Sequence, residues 1–414
     1  MKKGKNFLII IGIFLIGMLA GYENPEKIDK IKKVYKFYFQ KKIILKKNIQ
    51  PINEEKNIIE TNSFSIKYKT VMEFQDKSAS LLIEGGNNKS QNTYKVFTNN
   101  GFYETKNKFN EVNLPLSFFN EKNGGIRSVF QIKNEKFALI SNKSLNCFYA
   151  SLIRLSDAKQ IIKSECIPDE DYIDFSGLGG GYVNNKESIL IAIGTPTHKS
   201  REIDLMSQSE NFIFGKILEL KKKDLLDKNL KTINFNFYSK GHRNPQGMAK
   251  IGDKIFALEH GPQGGDELNI IKKNKNYGWP IFSYGVPYDK DKKYFHKSKD
   301  IKFKQPIYAF LPAVAPSALS ACPQNLKKYY SNNDCLIGLS LRGMSILIFI
   351  LSKNEDKIIS IEKVKFDERL RHFGVNNSMN LFENSDSSFY VTTDNLKVYE
   401  LQFTDFINEH VKDR

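Results

Sequence analysis

The chain has 414 residues and a formal charge of +17, because 63 Lys and Arg residues outnumber 46 Asp and Glu residues. Hydrophobic residues make up 40% of the sequence, which is typical of a folded globular protein and excludes an intrinsically disordered chain. The excess positive charge is mostly Lys scattered among Asn and Ile, without the Arg-rich stripes or aromatic-basic alternation that nucleic-acid grooves use. The composition therefore argues against nucleic acid as a partner.

The chain begins with a basic segment that is followed by an apolar one. Three Lys residues precede an apolar run from Phe7 to Gly21, and Glu23 begins a polar stretch. This pattern predicts an export signal in residues 1–22, whose ~15 apolar residues suit a signal-peptide core or a short membrane helix. No A-x-A-like cleavage site follows, and Tyr22 stands where a lipoprotein would have Cys. We therefore predict a periplasmic protein tethered to the inner membrane by this N-terminal helix, with export after cleavage as the alternative.

Residues 23–59 are rich in Lys and have few turn signals. They predict a basic, partly helical juxtamembrane spacer that contacts anionic lipid, or else a solvated linker with no partner. A large domain is expected over residues 60–403, with residues 404–414 as a C-terminal tail.

Within the large domain one unit recurs: a polar turn, a short apolar run rich in β-branched and aromatic residues, and a second apolar strand. The spacing of about 50 to 80 residues matches a four-stranded propeller blade with insertions. Five blades are visible, and a sixth is expected within residues 60–125. Because long amphipathic helices are missing from the sequence, we predict an all-β fold, a six-bladed β-propeller with an N-terminal membrane-anchoring helix, over a pair of β-sandwiches.

The four cysteines suit an oxidising compartment. Cys147 and Cys166 lie at nearly equal distances from a turn, and Cys322 and Cys335 are close in sequence. Antiparallel strands bring residues that are equidistant from a turn together, so each pair is expected to lie close enough for a disulfide. Four buried thiols are the alternative.

Two segments between residues 240 and 290 carry the most specific patterns. Residues 241–247 have the sequence Gly-His-Arg-Asn-Pro-Gln-Gly, and residues 259–269 have Glu-His-Gly-Pro-Gln-Gly-Gly-Asp-Glu-Leu-Asn, with Asn-Tyr-Gly-Trp-Pro at 276–280. In order and separation these segments resemble the GHRNPQG and EHGPxGGDELN…NYGWP motifs of the glucose/sorbosone dehydrogenases. Residues 315–319 and 124–126 are similar to further segments of that family.

The same residues suit a ligand pocket on chemical grounds. Arg243 offers a planar fork that matches a carboxylate, and Asn244 adds an amide for a quinone oxygen or a sugar hydroxyl. The carbonyls of Gly261-Pro262 could face a hard cation, with the Asp266 and Glu267 carboxylates nearby. A plain turn or a contact between blades is the alternative.

The resemblance implies oxidation of a sugar with pyrroloquinoline quinone (PQQ) and calcium. In the family, the residue at Arg243 contacts the quinone, and a Lys aligned with Arg342 clamps it. The turn carbonyls hold the calcium beneath the quinone, and a second calcium is structural. The resemblance thus predicts a cofactor-binding set of Arg243, Asn244, Asp266 and Arg342, and a calcium set of Gly261, Pro262, Glu267 and Tyr277.

The pattern breaks where the family has its catalytic base. The His of an HFGGRL-like segment aligns with Leu178, and a following GD pair aligns with Gly194-Thr195. Leu178 is expected to face the sugar in place of the base. His198 lies nearby in sequence, on a loop where surface placement is expected.

A second break concerns the Arg pair of the family's RIRDV segment, which aligns with residues 377–381, where no Arg is present. A slip of several residues in that alignment would bring in Arg369, Arg371 or His372.

Two functions from different classes follow. The intact stretch from 240 to 280 favours a PQQ- and calcium-dependent dehydrogenase of the periplasm. Such an enzyme would oxidise a sugar or an alcohol by hydride transfer to the quinone, with weakened activity. The missing base and Arg pair favour a non-catalytic propeller that binds a glycan or a periplasmic partner at the same rim. The sequence alone leaves the choice open.

Overall fold

A computed structural model describes residues 57–85, 92–169, 173–198, 201–230, 232–288 and 303–405. All of them belong to the larger of two structural units, which spans Glu54–Arg414. The predicted anchor at 1–22 and nearly all of the predicted spacer lie outside the described residues.

Strands dominate the described part of the chain. In chain order they are β1 (Asn57–Glu60), β2 (Ser65–Glu73), β3 (Ser78–Glu84), β4 (Thr93–Thr98), β5 (Phe102–Thr105), β6 (Lys108–Glu111), β7 (Ile126–Ile132), β8 (Glu135–Ser144), β9 (Cys147–Arg154), β10 (Lys159–Lys163), β11 (Ile167–Pro168), β12 (Ile173–Asp174), β13 (Gly179–Asn185), β14 (Ser188–Ile193), β15 (Thr197–His198), β16 (Lys216–Lys221), β17 (Phe235–Lys240), β18 (Pro245–Ile251), β19 (Lys254–Glu259), β20 (Asp266–Ile271), β21 (Lys275–Asn276), β22 (Tyr308–Phe310), β23 (Pro316–Ala321), β24 (Cys335–Ser340), β25 (Ser345–Leu351), β26 (Ile358–Lys365), β27 (Leu370–Val375), β28 (Phe389–Thr393) and β29 (Lys397–Thr404).

The helices of the described residues are short. They are α1 (Arg201–Leu205), α2 (Lys222–Leu226) and α3 (Gln324–Lys327), with single 3-10 turns at Phe175–Gly177, Met206–Gln208 and Lys328–Tyr330. The predicted all-β class is confirmed.

Most sheets are antiparallel and follow the chain order. The orders are β10-β9-β8-β7, β13-β14-β16-β17-β21, β18-β19-β20-β22 and β23-β24-β25-β26, while β12 and β15 form a separate pair. A nine-stranded sheet has the order β1-β2-β29-β28-β27-β3-β4-β5-β6. Within it β27 and β3 run parallel, with Gly374 opposite Leu81. Strands from near both ends of the described chain thus share this sheet.

Several interior strands of the sheets are mainly apolar. β14, β24 and β25 are buried at every position, as expected for short apolar runs covered on both faces. The edge strand β26 exposes several positions instead.

The described residues contain six clusters of buried hydrophobic side chains, five between neighbouring sheets and one within the nine-stranded sheet. One cluster contains Phe130 of β7 and Ile191 of β14, and another contains Phe256 of β19 and Phe349 of β25. Full burial of such a side chain contributes about 1.5–3 kcal/mol to stability. The core therefore consists of apolar layers between sheets.

Both predicted disulfides are confirmed. Cys147 is bonded to Cys166 and Cys322 to Cys335, and the Cα atoms are 5.4 Å apart in each pair. Cys166 precedes β11, which pairs antiparallel with β9 so that Pro168 lies opposite Cys147. The Cys322 N–H donates to the Cys335 carbonyl at 2.9 Å. Strand pairing therefore sets both bridges.

The predicted location, a protein tethered to the inner membrane by a helix, is corrected. Among the residues that the structure describes, no helix has the length and apolar character needed to cross a membrane. The helices found there have four or five residues, whereas a span needs ~20.

Candidate active site

A cavity of about 630 Å³ lies among the first strands of the successive sheets. Its volume falls within the range of roughly 300–1,000 Å³ that is usual for small-molecule sites. Polar side chains and glycines that line it come from six strands: Ser78 and Ser80 of β3, Arg127 of β7, Gly179 to Gly181 of β13, Gln246 of β18, Ser317 of β23, and Arg371 and His372 of β27.

Strand pairing brings the two sequence motifs together. Residues 241–244 precede β18 and residues 260–265 follow β19, and these strands are antiparallel with Pro245 opposite Glu259. In an antiparallel pair, the segment that precedes one strand and the segment that follows the other lie at the same end of the sheet. An Arg243 Nη1–H accordingly donates to the Gly261 carbonyl at 2.8 Å. The predicted proximity of residues 243 and 261 is confirmed.

The carboxylate of Glu259 contacts several polar groups of the two motifs. Its carboxylate accepts hydrogen bonds from the backbone N–H of Arg243 at 3.1 Å and from the Asn269 side chain at 2.9 Å. His242 Nδ1 lies 3.2 Å from the same carboxylate, and its Nε2 lies 2.8 Å from Ser239 Oγ. The order Ser-His-Glu resembles a hydrolase triad, but Ser239 is 2% exposed and His242 is 0% exposed. Because substrate cannot reach the hydroxyl, we assign the network to positioning Arg243.

Asn244 lies between the motifs and the glycine-rich start of β13. Its side-chain oxygen accepts a hydrogen bond from the Gly179 N–H at 3.1 Å, and its carbonyl accepts one from the His260 N–H at 3.1 Å. Asn244 is 4% exposed, so its visible role is to join two cavity segments.

Asp266 holds two loops in place by accepting hydrogen bonds from their backbone N–H groups. Its carboxylate accepts N–H groups from Gly261 at 3.0 Å, Val314 at 2.8 Å and Ala315 at 2.7 Å. Burial raises the pKa of Asp266, although these three hydrogen bonds and Arg243 oppose the shift. The oxygens are therefore directed at loop amides.

A second, much smaller cavity of about 20 Å³ is bordered by Glu259, Glu267, Tyr277 and Trp279. Burial, the neighbouring Glu259 and, more weakly, Asp266 raise the pKa of Glu267 to about 8. The Tyr277 hydroxyl donates to the Ile270 carbonyl at 2.7 Å. Two carboxylates, those of Glu259 and Glu267, therefore border a space that would hold a single water or ion.

The predicted calcium set divides into two parts. The Gly261 carbonyl is bonded to the Arg243 guanidinium, and the Pro262 carbonyl accepts the Tyr288 hydroxyl at 3.2 Å. A calcium ion at Gly261 would meet a fixed positive charge, so this part does not fit calcium. Glu267 and Tyr277 line the small cavity beside a second carboxylate, and that donor set does fit. The described residues contain no group of three or more His, Cys, Asp or Glu poised around a metal.

Arg342 occupies an exposed turn between β24 and β25, and it has no hydrogen bond or ion pair with another described residue. The neighbouring Leu341 and Gly343 donate backbone N–H groups to Ala315 at 2.8 Å and Val314 at 2.9 Å. The turn is therefore tied to the loop that Asp266 organises, while the guanidinium extends from it.

Leu178 does not face the cavity, so the expected exposure of this residue to a ligand is wrong. Its side chain is 0% exposed in the core, in the same apolar cluster as Phe175. Gly179 and Gly180 follow with φ angles of +77° and +111°, which favour glycine, and they begin β13 at the cavity wall. His198 is 9% exposed in β15, opposite Ile173, so its expected surface placement is also wrong.

Two arginines that the alternative alignment would supply lie close together. Arg369 directly precedes β27 and Arg371 lies within it, both pair with Asp394, and Arg371 lines the cavity. Residues 377–381 lie in the turn that follows β27, so the expected loss of the family's arginine pair stays a prediction beside the alternative of Arg369 and Arg371. Arg127 of β7 had no sequence signal, because it stands alone beside the Gly124-Gly125 turn.

His372 is the ionisable side chain of β27 beside these arginines. Its Nε2 lies 3.2 Å from the Ser78 carbonyl, so Nε2 carries the hydrogen and Nδ1 is left as an acceptor. Burial and the positive charge of Arg371 lower its pKa to about 3. The ring is neutral at ordinary pH.

A family model for glucose/sorbosone dehydrogenases matches residues 153–398. The chain belongs to this family. An aldose sugar dehydrogenase of Escherichia coli is 31% identical over 160 residues, which is 38% of this chain and 40% of that protein. The quinoprotein glucose dehydrogenase B of Acinetobacter calcoaceticus is 32% identical over 105 residues, 24% of this chain and 22% of that one. The alignments thus span less than half of the curated relatives.

Solved structures agree on the fold. The soluble aldose sugar dehydrogenase of Escherichia coli, in its apo form, has a TM-score of 0.61 at 19% identity, over 82% of this chain and 100% of that one. The PQQ-bound aldose sugar dehydrogenase of Streptomyces coelicolor has a TM-score of 0.56 at 16% identity, over 85% and 99%. At these identities the likeness establishes the fold alone.

Proposed function

We propose that the domain is a six-bladed β-propeller. Strands β3, β7, β13, β18, β23 and β27 each contact the next, and β27 contacts β3 again. The parallel pair β27–β3 would then join two blades of the nine-stranded sheet. A ring of six inner strands accounts for both the central cavity and the six apolar layers.

We propose that this family member binds PQQ in the central cavity and oxidises a sugar or an alcohol. The observation that carries the proposal is the pair of guanidiniums, Arg127 and Arg371, that line this cavity from different strands. Arg243 borders the small cavity together with His260, and the positive charges of Arg243 and Arg371 both lower the pKa of that imidazole. Arg369-Leu370-Arg371 is the natural counterpart of the family's RIRDV pair. Guanidinium forks suit the carboxylates of the quinone.

When bound, PQQ supplies the electrophile that accepts hydride, and the chain supplies orientation and proton acceptance. The Glu259 network holds the Arg243 backbone, while Asp394 fixes the planes of Arg369 and Arg371. His372 Nδ1 is the available proton acceptor at the cavity wall. Its pKa of about 3 makes it a weak base, since general-base catalysis is most efficient with a pKa near the working pH. Slow aldose oxidation is therefore expected.

We propose a calcium site in the small cavity, held by Glu267, the Tyr277 segment and Glu259. A cation there would relieve the repulsion between two buried carboxylates. Calcium should raise the melting temperature of chelator-treated wild type. It should not do so for Glu267→Gln, whereas the exposed control Glu187→Gln should respond like wild type. Equal responses of all three proteins would remove the proposed site.

The test of PQQ binding uses the full chain with calcium and PQQ, followed by removal of free cofactor and measurement of bound absorbance. We expect stoichiometric binding by wild type and at least about tenfold weaker binding by Arg371→Gln, because a charge-assisted hydrogen bond contributes about 1.5–3 kcal/mol. Lys353→Gln removes the same charge from an exposed outer turn and should bind like wild type. Absence of bound quinone in the wild type would refute the proposal.

A non-catalytic role in glycan binding is the second candidate. It is favoured by the burial of Leu178 in the core and by the weakness of His372 as a base. Wild type that binds an oligosaccharide in this cavity, but never retains PQQ, would select this candidate.

A further inference from the structure

Lys216, the first residue of β16, is a buried cation. Its side chain is 0% exposed, and none of the described residues gives it a carboxylate partner. Its Nζ donates instead to three backbone carbonyls, those of Met206 at 2.9 Å, Ser207 at 3.0 Å and Phe214 at 3.1 Å. Burial lowers its pKa to about 8, so most of the population is charged at neutral pH. Three N–H donors therefore meet three acceptors, and the ammonium group is fully used.

A buried charge without an ionic partner is unfavourable, because the group loses its hydration. Three carbonyl dipoles directed at Lys216 Nζ offset part of this desolvation, as carbonyl oxygens do around a bound metal ion. The ring of Phe237, whose centroid lies 5.5 Å from Nζ, adds a further favourable contact. An apolar side chain of similar volume would fill the same space without desolvating a charge. Packing alone therefore does not account for a lysine at this position.

Two of the three carbonyls belong to the 3-10 turn Met206–Gln208, which contacts both segments beside the small cavity. The Ser207 carbonyl also accepts a hydrogen bond from the Gly241 N–H at 3.1 Å. The Ser207 hydroxyl lies 2.5 Å from the Trp279 carbonyl, and Gln208 Nε2 donates to that same carbonyl. Gly241 and Trp279 both border the small cavity. The turn thus connects the buried ammonium group to the cavity wall.

We propose that Lys216 is a positioning residue for the small cavity: its ammonium group holds the Met206–Gln208 turn in place, and the turn holds Gly241 and Trp279 at the cavity border. Without the ammonium group the turn loses the cation around which its carbonyls converge, and the wall is released. The inference rests on the proposed function only where it concerns calcium. Residues that orient a metal site from behind typically change metal affinity by roughly 10–100-fold when they are mutated.

Trp279, the single tryptophan, reports on the wall directly. In the full chain without calcium, Lys216→Met should shift the folded-state emission of Trp279 to longer wavelength and make it easier to quench with acrylamide, because the indole gains contact with water. Leu152→Ala, at a buried position of β9, is the control. It leaves a cavity in the core and should lower the urea midpoint, but it should not change the emission. Lys216→Gln keeps two N–H donors and should give an intermediate emission, so the comparison remains measurable if Lys216→Met does not fold.

Isothermal titration calorimetry with calcium chloride provides the second readout. Lys216→Met should bind calcium at least about tenfold more weakly than wild type, whereas Leu152→Ala should bind it like wild type. Wild type that binds no calcium would remove the proposed calcium site, while the emission of Trp279 would still test whether Lys216 holds the wall. If the Lys216 variants show the same Trp279 emission and the same calcium affinity as Leu152→Ala, Lys216 only contributes to stability and the inference is overturned.

Discussion

The candidate site contains two unlike regions, one of which borders the small cavity and the other the large one. In the motif wall, residues 241–244 and 259–266, the carboxylates of Glu259 and Asp266 are engaged by donors from the chain itself. In the arginine wall, Arg127, Arg369, Arg371 and His372, cations outnumber their carboxylate partner. The comparison teaches that a recognisable motif here marks residues that hold the backbone, whereas the cavity-lining cations Arg127 and Arg371 lie outside the two motifs.

The strongest test of the motif wall is Glu259→Ala. The substitution leaves the buried imidazole of His242, the side-chain amide of Asn269 and the backbone N–H of Arg243 without this hydrogen-bond acceptor. We therefore expect a loss of about 3–5 kcal/mol in the free energy of unfolding. Urea denaturation measures it. Glu187→Ala, at an exposed turn, should stay within about 0.5 kcal/mol of wild type. Similar stabilities for both variants would mean that Glu259 is not a structural hub.

Leu178→His tests whether the missing base can be restored. Since Leu178 is 0% exposed, the imidazole would be buried in the core. We expect a loss of about 2–4 kcal/mol in unfolding free energy and no gain in aldose oxidation with added PQQ. A folded, faster enzyme would show that position 178 does reach the cavity. His372→Ala, in contrast, should abolish whatever slow turnover the wild type has.

The two arginines predicted to clamp the cofactor should differ in effect. Arg243→Ala removes hydrogen bonds to Gly261 and His260 and contact with Trp279, whose ring lies 5.3 Å away, and it should cost about 1.5–3 kcal/mol. Arg342→Ala should change stability by less than about 0.5 kcal/mol, because its side chain is exposed. Fluorescence of Trp279, the single tryptophan, provides a local signal for both unfolding series.

The smallest effect is expected at Glu104 of β5. Burial, with a smaller contribution from Asp76, raises its pKa from 4.5 to about 7. The folded protein then holds a proton that the unfolded chain releases, so this carboxyl stabilises the fold at acid pH and loses that contribution as pH rises from 4.5 to about 7. Glu104→Gln should flatten this slope of unfolding free energy, measured between pH 4 and pH 8. If the slope of unfolding free energy against pH is unchanged in Glu104→Gln, another group is responsible for the titration.

Sequence reasoning succeeded where local geometry repeats. Apolar runs at regular spacing indicated the sheets, and equidistant cysteines indicated both disulfides. The motif residues Arg243 and Gly261 met because strand pairing forces them to the same edge. Leu178 could not be placed, because two glycines with positive φ change the direction of the chain after it. Arg127 was missed because the cavity that it lines is formed by strands of different sheets, which no local sequence pattern brings together.

The pairing of β2 with β29 has a consequence for biogenesis. Ser65 lies opposite Thr404 and Tyr68 opposite Leu401, so the sheet that holds the earliest described strands is completed only by the last one. During synthesis β2 must wait until some 330 further residues have been made, and its apolar face stays exposed until then. Quality control that protects unfinished chains would therefore act on this protein until β29 has been made, and loss of β29 alone should release β2 as an aggregation-prone edge.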